Sequence, residues 1–126
     1  FSVRSESQCQ FVNITERVKK IIQSTGLKEG LCTVYIPHTT AGVTINEAAD
    51  PSVVRDILME INKLIPFSDN YQHREGNSAA HIKASFFGSS CNIPISNSHL
   101  CLGTWQGIFF CEFDGPRHRQ VTIHIK

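Results

Sequence analysis

The stretch Ile108-Phe109-Phe110-Cys111-Glu112-Phe113 decides the fold. It is apolar on both faces and interrupted only by Glu112. Such a run reads as a central strand covered from two sides. Gly103-Thr104-Trp105-Gln106-Gly107 breaks the pattern before it, and Asp114-Gly115-Pro116 makes a turn after it. A carboxylate inside such a strand requires a cation, and Arg117 or Lys83 is the expected partner.

Beyond the turn, Val121, Ile123 and Ile125 alternate with Gln120, Thr122 and His124, which predicts a last strand with one buried face. Arg117 and Arg119 share the parity of the buried set and are placed at the entrance of the core face. Before the central strand, Cys91 to Ile95 reads as a strand with Pro94 in an edge or bulged position. Asn97-Ser98 turns it back into His99 to Leu102. Leu31 to Ile36 and Ala41 to Asn46 are two more strands, separated by Pro37-His38-Thr39-Thr40. Residues 2–14 form one long strand or two short ones.

Three helices complete the pattern. Thr15 caps the first, with Val18, Ile21 and Ile22 on one face, and Gly26 ends it. Asp50 and Pro51 open the second, whose Val54, Ile57, Leu58, Ile61 and Leu64 form the clearest amphipathic stripe in the chain. Its expected role is to cover a sheet. The third runs from Asn77, as N-cap, to Gly88, with Ala79, Ile82 and Phe86 as the buried stripe and Ser78, His81 and Ser85 beside it. Strands joined by short turns, with about three helices, favour an antiparallel or mixed α+β domain over residues 1–126.

Composition narrows the function. Hydrophobic content of 40%, charged content of 18% and a net charge of +1 describe a globular chain with no bulk field for nucleic acid or an anionic membrane. No apolar run has the length of a membrane span, and no signal peptide is visible, although the chain starts at Phe1 rather than Met. The five cysteines include no C-x-x-C pair. They read as small buried apolar side chains in a reducing cytoplasm, with zinc or disulfide chemistry as the alternative.

Chemistry concentrates at two places. His73-Arg74-Glu75-Gly76-Asn77-Ser78-Ala79-Ala80-His81-Ile82-Lys83 puts two histidines, a carboxylate, an amide and a lysine into eleven residues. His38-Thr39-Thr40 puts an imidazole and two hydroxyls at a strand end, a position from which a scaffold exposes reactive groups. Hydroxyls and loop backbone there can hold a phosphate, or the threonines can simply bond their own turn. Asn46 and Glu47 are expected to face the same space as His38.

Taken with His38–Glu47 and Leu102–Arg117, the His73–Lys83 stretch closely resembles the YjbQ-like family, also described as the secondary thiamine-phosphate synthase enzyme family. The resemblance runs over essentially the whole chain. It implies a small α+β domain with a sandwich-like sheet, assembled as a homotrimer, and a weak thiamine-phosphate synthase activity. That reaction joins a pyrimidine diphosphate to a thiazole phosphate, and negative charge grows on the departing diphosphate. Cations and donors are needed there more than a nucleophile. Under this reading His73, Glu75, His81 and Lys83 are the catalytic set. Thr39, Thr40, Asn46, Glu47, Asn77, Ser89, Ser90, Arg117 and Arg119 bind substrate, and Trp105 stacks on a heterocycle or serves as a core or subunit-interface aromatic. Mg²⁺ would be held mainly by phosphate oxygens. Alternatively, His38, His73 and His81 bind Zn²⁺ or another transition metal, for hydrolysis or lysis. A third possibility is a trimeric, non-enzymatic binder of a small phosphorylated or heterocyclic metabolite. No triad elbow, P-loop, H-E-x-x-H or dinucleotide fingerprint is present.

Overall fold

A computed structural model describes all 126 residues. Strand β7 (Gln106–Glu112) is the axis. It lies between β2 (Gln10–Asn13) and β4 (Ala41–Glu47), antiparallel to both. Each face meets a different core. Ile108 and Phe110 join Val43, Cys32, Val34, Ile93 and Ile95 in the larger cluster, whereas Phe109 and Cys111, with Phe113 just past the strand end, join Ala80 and Ala84 in the smaller. The continuous apolar run thus follows from burial on both sides.

Cys32, Val34, Ile93 and Ile95 come from a four-stranded antiparallel sheet ordered β6 (His99–Leu100), β5 (Ser90–Ser96), β3 (Gly30–Tyr35) and β9 (Thr122–Ile125). The two sheets face each other across the larger core, which α1 (Thr15–Thr25) closes through Val18 and Ile22. The architecture is α+β, with three helices and antiparallel pairing throughout. No helix is long and apolar enough to cross a membrane.

Several expectations require correction. The C-terminal segment is not one strand. β8 (His118–Gln120) pairs with β1 (Ser2–Arg4), and β9 pairs with β3. Val121 makes the crossing, and its amide donates to Phe1 O while the Phe1 amino group donates to Val121 O. Thr15 does not cap α1. Ile14 occupies that position, and the Thr15 hydroxyl joins Asn13 Oδ1 and the Ile108 amide instead. The cysteines are all free, but Cys101 is exposed rather than buried.

Helix α2 (Pro51–Leu64) has the predicted Asp50 cap, yet none of its residues is fully buried. Helix α3 (Ser78–Phe87) buries Ala79, Ala80, Lys83 and Ala84 rather than the predicted Ile82 and Phe86, and Phe86 is 77% exposed. The cause is close approach. A Cβ on Gly42 of β4 would lie 2.6 Å from Gly88 O, and the Val43 amide donates to that same carbonyl. Only small residues fit where α3 meets the sheet. The contact fixes which side of α3 is left for solvent.

Candidate functional site

Three chain segments meet beside the C-terminal end of β7. The loop after β3 brings Pro37, His38, Thr39 and Thr40. The segment leading into α3 brings His73, Glu75 and Asn77, and α3 itself brings His81. The turn after β7 brings Asp114 and Arg117, and β8 brings Arg119. These residues line a cleft of about 450 Å³ whose wall is polar or charged except for Pro37. An adjoining hollow of about 500 Å³ shares His38, Thr39 and His81 and adds Ser85 and Ser89. The His73 and His81 rings stand edge to face with centroids 5.3 Å apart.

Beneath the cleft floor lies a matched ion pair. Arg119 Nε and Nη2 both donate to the Glu112 carboxylate, and Nη2 also donates to Thr40 Oγ1 at 2.8 Å. Glu112 further accepts from Ser5 Oγ at 2.6 Å and the Asp114 amide at 3.1 Å. Burial pushes this carboxyl up, but the hydrogen bonds from Arg119, Ser5 and Asp114 outweigh that and hold it below the usual carboxylate range. None of the Arg119 hydrogen bonds uses Nη1, so a donor remains for the cleft that Arg119 lines. The partner of Glu112 is therefore Arg119, not Arg117 or Lys83. The inward parity of Arg119 was the available signal.

His38 is held by its neighbour. The Gln120 amide donates to its Nε2 at 2.8 Å. A neutral ring bonded that way carries its proton on Nδ1. Burial and then the Arg119 charge lower its pKa, favouring this neutral form. Arg117 folds back on Asp114, with Nε on the backbone carbonyl at 2.7 Å and Nη2 on the carboxylate at 3.0 Å. Asp114 also accepts from Asn77 Nδ2 at 2.9 Å. Asp114 is a cleft residue that sequence reasoning missed, having been read only as part of a turn. Its spacing of three from Arg117 was the usable hint.

Other expected site residues lie elsewhere. Lys83 projects from the opposite side of α3, fully buried. Its Nζ donates to Asn62 Oδ1 at 2.5 Å and sits 3.9 Å from the Phe67 ring centre. Desolvation lowers its pKa. Asn46 and Glu47 close the far end of β4, where Glu47 pairs with Gln106 while Ala41 pairs with Glu112. Six strand steps put them ~20 Å from the cleft end. Glu47 lines a different hollow with Phe11, Asp50 and Phe109. Trp105 is 63% exposed, so it is neither a core aromatic nor part of the cleft. Its neighbours Gly103, Thr104 and Gln106 line a third hollow of about 440 Å³ against α1. Ser90 opens β5 opposite Tyr35 and faces solvent.

The metal reading is not built as the side chains stand. No three His, Cys, Asp or Glu residues come close enough together to hold an ion. His38 would have to release the Gln120 amide to offer Nε2. The residues lining the cleft have hydrogen-bond donors to spare, His38 Nδ1, Arg119 Nη1 and two threonine hydroxyls, and two further imidazoles line it with them.

Known proteins share this framework. A crystal structure of an uncharacterized conserved YjbQ/UPF0047-family protein from Clostridium acetobutylicum superposes with a TM-score of 0.98 at 53% identity, over 100% of this chain and 98% of that one. A hypothetical protein from Aeropyrum pernix gives a TM-score of 0.95 at 38% identity, over 100% and 95%. The UPF0047 protein YugU of Bacillus subtilis is 46% identical over 98% of this chain and 93% of its own length. A UPF0047 protein of Methanocaldococcus jannaschii is 47% identical over 99% and 91%. The family model described as "UPF0047 protein YjbQ-like" matches residues 1–126, and the chain belongs to that family.

Proposed function

We propose that the His38–His73–His81 cleft binds a small phosphorylated metabolite and assists departure of its phosphate or diphosphate, as in a thiamine-phosphate synthase-type transfer. The observation that carries this reading is the convergence of three histidines with Arg119, Thr39 and Thr40 on a wall that is polar or charged except for Pro37. Charge that develops on a leaving oxygen meets donors already fixed in place, Arg119 by Glu112 and His38 by Gln120. His73 and His81 are the imidazoles placed to accept or donate a proton. Glu75, which has no salt-bridge partner, and Asp114 are the carboxylates available to a Mg²⁺ held mainly by phosphate oxygens, and such an ion supplies charge screening.

The test is product formation from the two phosphorylated precursors with Mg²⁺. His73→Gln and His81→Gln are expected to slow it by roughly 10²-fold or more, while Trp105→Ala and Glu47→Gln, outside the cleft, leave it unchanged. Equal rates in all four variants would remove the cleft from the reaction. Tight binding without turnover would favour the non-enzymatic reading.

The proposal includes a homotrimer. In its support, α2 buries none of its residues, and Leu64 and Trp105 are 74% and 63% exposed. Light scattering is expected to give three times the chain mass of 14.1 kDa, and a mass of one chain would contradict it.

A further inference from the structure

We infer that the ligand's phosphoryl group binds at the N-terminus of α3 with a proton on one of its oxygens, and that Asn77 selects for that proton. This rests on the anionic ligand proposed above and narrows its chemistry.

Two kinds of unsatisfied group meet at this helix end. The Ser78 and Ala79 amides have no acceptor in the protein, the first helix-end bonds being donated by Ala80 and His81 to Asn77 O. Such free amides favour an anion. The Asn77 side chain does not cap them. Its Nδ2 is drawn to Asp114 Oδ2 at 2.9 Å, which fixes the amide orientation, because the reverse would set oxygen against carboxylate. Oδ1 is thereby left as the one buried side-chain polar atom without a partner, on a residue only 9% exposed. A buried orphan acceptor is costly and calls for a donor.

Donors and an acceptor within two residues, beside the cleft that Asn77, His73 and His81 line, match a group that both accepts and donates. Inorganic phosphate near neutral pH retains at least one O–H, as does a phosphomonoester in its monoanionic form, whereas sulfate has the same shape and a double negative charge but no O–H. In the bound state Asn77 Oδ1 accepts from that O–H. The negative neighbours Glu75 and Asp114 add to the penalty for a fully ionised oxyanion there.

Inorganic phosphate and sulfate, titrated calorimetrically into the full chain at pH 7, test this. Phosphate is expected to bind at least roughly tenfold more tightly than sulfate, the value of one charge-assisted hydrogen bond. Asn77→Ala is expected to reduce the ratio to near one by weakening phosphate alone, with a thermal melt verifying that the variant is folded. Equal affinities in the unaltered chain, or a preference that survives in a folded Asn77→Ala, overturn the inference while leaving an anion site intact. Absence of binding by either ion up to tens of millimolar overturns the anion site as well. The comparison within the unaltered chain decides the matter even if the variant does not fold.

Discussion

Helix α2 repeats apolar residues at Val54, Ile57, Leu58 and Ile61 with the regularity of a core helix, yet none of its fourteen residues is fully buried. Helix α3 has hardly any apolar periodicity, yet it buries four of ten, one of them a lysine, and carries the cleft histidine His81. Depth of burial follows backbone approach rather than strength of pattern. Alanines and Gly42 let α3 sink against β4, and the aliphatic stem of Lys83 serves as core while its head reaches Asn62 on α2. The polar groups buried near α3 also divide. Glu112 has a full complement of partners, but Lys83 has no carboxylate.

The largest expected effect tests that second contrast. Glu112→Ala leaves Arg119 buried without its counter-ion and should cost about 4 kcal/mol in urea denaturation. Because Glu112 titrates below its ordinary 4.5 in the folded protein, its contribution is present above that pH and is lost as pH falls through the lower folded value. Glu112→Gln should therefore flatten the acid limb of the stability profile. An unchanged acid limb would mean that the pair contributes no pH-dependent stability.

The next effect tests the approach of α3. Gly42→Val forces side-chain carbons against Gly88 O and should cost about 3 kcal/mol. If denaturation midpoints shift by under about 0.5 kcal/mol, as for an ordinary surface site, the tight seat of α3 is not what places His81. The smallest expected effect concerns Lys83. Lys83→Met keeps the stem and removes a buried charge that has no carboxylate partner, and should be neutral or stabilising by about 1 kcal/mol. The folded lysine titrates below 10.5, so the unfolded chain holds more protons between the two values. Stability then rises with pH toward 10.5 in the parent and not in the variant. A loss of anion binding in Lys83→Met would contradict its assignment to the buried side.

Much of this was legible in the sequence because a two-residue period leaves little freedom. Cys32, Val34 and Ile36 turn inward as their alternation requires, and Arg119 follows its parity to Glu112. His38 and His73 were legible as loop residues, and His81 as part of the polar edge of α3. Which side of α3 faces out was legible only in part: Ala79 is buried as its stripe requires, but Phe86 on the same stripe is exposed, because the packing rewards small size. Asn46 and Glu47 failed for a different reason. Nearness to His38 along the chain is not nearness in space, because an extended strand separates them.

The central claim is that His38, His73 and His81, from separate segments, form one ligand site. The six histidines supply their own control, since His99, His118 and His124 lie outside the cleft. Titration of inorganic pyrophosphate, followed by the imidazole side-chain resonances in NMR, tests it most directly. Joint shifts of His38, His73 and His81 along one binding curve, with the other three still, are the predicted result; independent curves, or shifts confined to His99, His118 and His124, would contradict it.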